Sequence, residues 1–271
     1  MWLMERPNNR PIGVFDSGVG GLTVARSIRE MLPMEDIIYF GDTARVPYGN
    51  KSRDTINRFS KEIVDFLAGK KVKAVVIACN TASSFSRAFL QKNYDMPVVG
   101  VIGPGIRKAV GISKNRRIGV IGTEATVASG AYDRELEKTQ KGDFRLFSES
   151  CPLFVPLVEN RMISGEITEK IAEKYLFSLR KRGIDTLILG CTHYPMLKKV
   201  ISSVMKGVSL VDSSRAVAEE LKMVLRSNGL SAERRGRKGK MRCYVSDAPE
   251  KFKKISGMFL KENVDVKKAV L

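Results

Sequence analysis

Lys73-Ala-Val-Val-Ile-Ala-Cys79-Asn-Thr81 and Asp185-Thr-Leu-Ile-Leu-Gly-Cys191-Thr-His193 share one layout: a short apolar run, a cysteine, a polar pair and a helix start. A second pair precedes them at nearly the same spacing, Gly13-Val-Phe-Asp-Ser17 before the first and Gly119-Val-Ile-Gly-Thr123 before the second. Apolar runs this short, bounded by turn and helix signals, read as buried strands. Their recurrence in the same order predicts two similar α/β halves facing one another.

The rest of the chain extends that alternation. Strand-like runs occur at Ile12–Phe15, Ile37–Phe40, Ala74–Ala78, Val98–Ile102, Ile118–Ile121, Phe144–Phe147, Leu187–Leu189 and Cys243–Val245. Between them lie helical spacings. Ile56, Phe59, Ile63, Phe66 and Leu67 fall on one face and stop at Gly69. Ile167, Ile171, Tyr175 and Leu179 form another face, ending at Gly183, where a C-cap glycine belongs. Val217, Leu221, Val224 and Leu225 form a third, closed by Asn228-Gly229. Strands alternating with helices of this length predict mostly parallel sheets flanked by helices. Ligands in such sheets bind beyond the carboxyl ends of the strands, so the residues just after each run carry the chemistry.

The chain has 271 residues, and 43% apolar with 28% charged residues excludes a disordered protein. The longest apolar run, Ala74–Cys79, is far short of a membrane span, and Met1–Pro11 lacks the hydrophobic stretch of a secretory signal. Four widely spaced cysteines without a CxxC exclude a disulfide scaffold and point to a reducing, cytoplasmic compartment. The net charge of +18 is uneven, with six bases and one acid in residues 233–242. A basic surface attracts nucleic acid and small anions alike, yet no nucleic-acid-binding motif accompanies it. The segment 233–242 reads as an exposed loop outside the site.

Gly18-Val-Gly20-Gly21 lacks the third glycine of a dinucleotide fingerprint, because Thr23 stands there, and Asp16 would repel a pyrophosphate. No cofactor site is read from the sequence. Cys79 and Cys191 each follow a strand and open toward a helix start, which favours thiolate and lowers a cysteine pKa toward neutrality. Cys151 and Cys243 lack that context and read as core residues. His193, the single histidine, lies two residues after Cys191. A Cys-His dyad lacks any surrounding protease signature, and Cys79, Cys191 and His193 have no zinc spacing. Asp16, Asp42 and Glu159 mark further strand ends, where a carboxylate can bind an ammonium group or tune a thiol.

At these residues the chain resembles the glutamate racemase family. The resemblance rests on Val14-Phe-Asp-Ser-Gly-Val-Gly-Gly-Leu-Thr23, Gly41-Asp-Thr-Ala-Arg-Val-Pro-Tyr-Gly-Asn-Lys-Ser52, Ala78-Cys-Asn-Thr-Ala-Ser83, Cys151-Pro-Leu-Phe-Val-Pro-Leu-Val-Glu159 and Gly190-Cys-Thr-His-Tyr-Pro195. It implies two pseudo-symmetric α/β domains with the active site in the cleft between them. Residues 11–101 with 211–271 would form the first domain, and 102–210 the second. It also implies a racemase without cofactor or metal, making D-glutamate for peptidoglycan. Cys79 and Cys191 would be its acid/base pair. Asp16, Ser17, Tyr48, Gly49, Asn80, Thr81, Thr192 and His193 would hold glutamate, and Asp16, Asp42, Glu159 and His193 would assist the cysteines. A related aspartate racemase would share the cysteines. The expected partners are glutamate and, at most, a second copy of the chain; no membrane or nucleic acid is called for.

Overall fold

The computed structural model describes residues 8–139, 142–233, 237–260 and 264–271. Its strands are β1 (Ile12–Asp16), β2 (Ile37–Gly41), β3 (Ala74–Ile77), β4 (Val98–Gly100), β5 (Arg117–Gly122), β6 (Arg145–Ser150), β7 (Thr186–Gly190), β8 (Ser209–Val211), β9 (Met241–Val245) and β10 (Val266–Lys268). They form two sheets, ordered β10-β9-β2-β1-β3-β4 and β6-β5-β7-β8. Every pairing among them is parallel. The run β2-β1-β3-β4 therefore repeats as β6-β5-β7-β8, and the two cysteines follow the third strand of each repeat. Ile12 pairs with Ile37 and Ala74, as Ile118 pairs with Leu146 and Thr186. The internal echo in the sequence is thus an echo in topology.

Helices cover the sheets where the apolar spacing demands. The helix Arg53–Gly69 starts at Ser52, whose Oγ accepts from the Thr55 N–H at 3.3 Å, and it buries Ile56, Ile63, Val64 and Leu67. Gly69 is its last residue, while the left-handed conformation falls on Lys71, with φ 58°. In the helix Glu166–Lys181 the buried stripe is Thr168, Ala172, Leu176 and Leu179. Ile167, expected inside, is 61% exposed in the first turn. The stripe sits one residue further round, leaving Ile171 and Tyr175 half-buried at its edge, with the Tyr175 ring 5.5 Å from that of Phe154. Gly183 and Gly229, each at positive φ, end this helix and the helix Ser213–Ser227 as expected.

Side chains alternate between two cores, as strand geometry requires. Phe15, Ile38, Phe40, Val75 and Ile77 pack against the helix Arg53–Gly69 on one face of the first sheet. Ile12, Val14 and Val76 point the other way, into a cluster continuous with Ile118, Val120, Leu187 and Leu189 of the second sheet. The helix Ser213–Ser227 lies within this shared seam, packed on both Leu22–Met31 and Ile102–Ile112.

The described part of the basic segment is mostly exposed, as expected, but only part of it is a loop. Met241 and Arg242 belong to β9. The Gly239 N–H donates to the Pro33 carbonyl at 2.8 Å, and the Lys240 N–H to Asp36 Oδ1 at 2.6 Å. Backbone pairing with the entry to β2 fixes this stretch, while Arg237 and Lys238 stay exposed. Residues 234–236 lie outside the described residues. Among the described residues no helix is long and apolar enough to cross a membrane.

Candidate active site

The carboxyl ends of β1, β3 and β7 converge on a pocket of about 30 Å³ lined by Ser17, Cys79, Asn80, Thr81, Cys191, Thr192 and His193. Tyr48, Gly49 and Glu159 complete the expected wall, and Val46, Pro47, Thr123 and Val155 add to it. This space holds about two waters. Larger hollows lie elsewhere on the described surface, but neither cysteine lines any of them.

Cys79 is the N-cap of the helix Asn80–Asn93, and its Sγ accepts from the Ala82 N–H at 3.5 Å. The thiol in turn reaches the Ser17 hydroxyl at 3.6 Å. The helix start does not bring this thiol toward neutrality. Burial, reinforced by the nearby Asp16 carboxylate, pushes its pKa up to about 12, outweighing one long amide contact. Cys191 differs from expectation in another way. It is followed by the short 3-10 turn Tyr194–Leu197, capped by His193, and the next α-helix begins only at Lys198. Pro195 thus opens a tight turn, and the partner of the Cys191 sulfur is a ring.

That ring is His193, whose Nδ1 stands 4.0 Å from Cys191 Sγ. Its Nε2 faces Glu159 Oε1 at 3.5 Å. Burial opposes the imidazolium, but Cys191, Glu159 and Asp16 outweigh it and hold the pKa up to about 10. Glu159 is correspondingly lowered, chiefly by His193. The site therefore sets a histidine whose protonated form is favoured beside Cys191, whereas Cys79 has only neutral donors.

Asp16 and Asp42 are both fully buried and neither lines the pocket. Asp16 accepts from the Gly18 N–H at 2.9 Å and from the Thr192 hydroxyl at 3.3 Å, joining the first glycine loop to the second cysteine loop. Burial raises its pKa, against the pull of His193 and of those donors. Asp42 accepts from Tyr48 Oη, from Arg45 Nε at 2.6 Å and from Ser246 Oγ at 2.8 Å. It reaches the pocket only through the Tyr48 ring, because its carboxylate turns back into the first half.

Three further residues join the halves at the pocket. Thr81 Oγ1 lies 3.0 Å from the hydroxyls of both Thr123 and Thr126, which are 2.9 Å from each other. Tyr132 Oη donates to Asn80 Oδ1 at 2.7 Å. Thr123 stands in the second half where Ser17 stands in the first, so the sequence echo contained the signal for it. Cys151 and Cys243 are core residues as expected. Among the described residues no group of three or more His, Cys, Asp or Glu is placed to hold a metal ion.

Comparison with known proteins agrees with this arrangement. Residues 12–221 match the Asp/Glu/Hydantoin racemase family. A glutamate racemase from Persephonella marina is 48% identical over 261 residues, 96% of this chain and 97% of that protein. The structure of a glutamate racemase isoform from Bacillus anthracis superposes with a TM-score of 0.93 at 38% identity, covering 97% of this chain and 98% of that one. A Francisella tularensis glutamate racemase in complex with D-glutamate matches with a TM-score of 0.89 at 40% identity, covering 97% of each chain. With two parallel sheets, paired cysteines and this degree of identity, the chain belongs to the glutamate racemases of the Asp/Glu racemase family and is an isomerase.

Proposed function

We propose that the chain interconverts L- and D-glutamate with Cys79 and Cys191 as the two acid/base groups. One observation carries the reading: the cysteines end equivalent strands of the two repeats and line one pocket. Inverting an α-carbon requires a base on one face and an acid on the other. One sulfur, as thiolate, takes the α-proton; the other, as thiol, returns a proton to the opposite face. Their protonation states are then exchanged, ready for the reverse direction. By family resemblance Cys79 serves D-glutamate and Cys191 serves L-glutamate.

The α-proton is weakly acidic, so the developing carbanion needs fixed donors around the carboxylate. Ser17, Asn80, Thr81 and Thr192 stand on the wall and supply them. Tyr48, Gly49 and His193 shape the space, while Asp16, Glu159 and His193 set the charge beside the sulfurs and Asp42 holds Tyr48. The substrate ammonium supplies the cation that Cys79 lacks, favouring its thiolate once glutamate is bound.

The two halves are 11–101 with 211–271, and 102–210, and the helix Ser213–Ser227 packs against helices of both. D-glutamate made this way feeds bacterial peptidoglycan, and the four free, buried cysteines suit a cytoplasmic enzyme.

The test is a circular-dichroism assay of purified protein with L- or D-glutamate and no added cofactor. Both enantiomers should converge to the racemate. A requirement for pyridoxal phosphate, or loss of activity with a chelator, would overturn the mechanism.

A further inference from the structure

Behind the pocket wall, a buried phenol joins the two cysteine-bearing loops. Tyr132 lies in the helix Ala131–Glu137 of the second half and is 2% exposed. Its hydroxyl donates at 2.7 Å to Oδ1 of Asn80, the residue after Cys79. The same oxygen adjoins Gly190, the residue before Cys191, where an added Cβ would stand 3.2 Å from it.

An asparagine amide has an acceptor at one end and two donors at the other. Burial first, and the neighbouring Cys191 second, raise the Tyr132 pKa, so the phenol keeps its proton and remains a donor. Were the Asn80 amide turned over, its NH2 would meet the phenol. The phenolic hydrogen would then be buried without an acceptor among the described hydrogen bonds. The amide is therefore held one way round, with Oδ1 engaged and Nδ2 released toward the pocket that Asn80 lines.

We infer that Tyr132 is a positioning residue for racemisation, orienting the Asn80 amide so that its NH2 donates to the substrate α-carboxylate while the α-carbon is deprotonated. This rests on the assignment of Asn80 to substrate proposed above. Charge on that carboxylate grows toward the transition state, and a donor fixed in advance stabilises it without reorganisation. Tyr132 touches neither substrate nor sulfur; it acts through Asn80.

The experiment is a double-mutant cycle of Tyr132→Phe and Asn80→Ala, with kcat and KM measured in both directions. Tyr132→Phe keeps the ring and should lower kcat about tenfold in each direction, with KM changing about twofold at most. In the Asn80→Ala background the same change should cost less than about twofold, because the group it orients is gone. Parent-like activity in Tyr132→Phe, or losses that simply add, would overturn the inference. Parent-like activity in Asn80→Ala would instead overturn the assignment of Asn80 on which it rests. Should Tyr132→Phe not fold, the intact protein labelled with 15N-asparagine gives the answer. The Asn80 side-chain NH2 resonances, identified by their loss in Asn80→Ala, should form one pair that shifts without doubling as D-glutamate is added; a second set, marking an amide turned both ways, would overturn the inference, and resonances that stay put would overturn the assignment of Asn80.

Discussion

Gly20 and Thr192 meet so closely that a Cβ on the glycine would lie 2.3 Å from the threonine hydroxyl oxygen, and 2.7 Å from His193 Nδ1. Both atoms belong to the second cysteine loop, which the first glycine loop therefore touches directly. Gly20→Ala must displace Thr192 and His193 together. We expect a loss of about 1–3 kcal/mol in stability from overpacking, and at least a tenfold drop in kcat/KM, about 1.4 kcal/mol of transition-state stabilisation. Urea melts with steady-state kinetics check both.

Cys79→Ala and Cys191→Ala should each lose racemisation in both directions by at least about a thousandfold, since each direction needs one base and one acid. In deuterated water the parent should label the product α-carbon as it forms, the deuteron coming from the second sulfur. A folded Cys79→Ala protein turning over near the parent rate would sink the two-base reading.

Asp16 combines full burial with a pKa raised chiefly by that burial. Its ionised form is thus a cost to the fold that the site requires. Asp16→Asn should melt at the parent temperature or above while losing at least about tenfold in kcat/KM, a trade of stability against activity. A variant both active and less stable would contradict this.

Alkali should unfold the protein in a defined window. Burial pushes the Cys79 and Cys243 thiols from an ordinary value of 9.0 up to about 12. A folded pKa above the unfolded one gives stability fully present below about pH 9 and lost as pH rises toward 12. His193, raised from 6.5 to about 10, works in the same direction through a lower window. Urea melts at intervals from pH 8 to pH 11 should show falling stability, and Cys243→Ala should reduce the slope above pH 9. A flat profile would mean that the thiols ionise freely in the folded state.

Gly239 has no room for a side chain, because a Cβ there would lie 1.9 Å from the Glu35 carbonyl oxygen. Gly239→Ala should therefore destabilise the protein by about 1–3 kcal/mol. Replacing the exposed Arg237 and Lys238 by Gln should leave turnover within a few-fold. Thermal melts and initial rates separate the two effects.

The parts legible in the sequence are those that repeat. The runs ending at Cys79 and Cys191 carry both periodicity and position, and the sheets follow them. β8 and β10 were not legible, since each is three residues at a sheet edge and mostly exposed or half-buried. Without a buried face they leave no apolar run to read. The wall residues next to the cysteines could be read from local order. Tyr132 and Thr126 could not, because they act through contacts between halves, which no local spacing encodes. Asp42 shows the same limit from the other side: a strand end can be located, but which way its carboxylate turns depends on Tyr48, Arg45 and Ser246.

The seam at the helix Ser213–Ser227 also bears on how such a pair of repeats survives as one molecule. Residues of both sheets share one uninterrupted apolar cluster, so a half produced alone would present a bare hydrophobic wall to water. Heating should accordingly melt the chain in a single calorimetric peak rather than two. The two copies of the βα pattern are obligate neighbours. A recombinant built by exchanging either repeat for that of a relative would have to carry its side of the seam along.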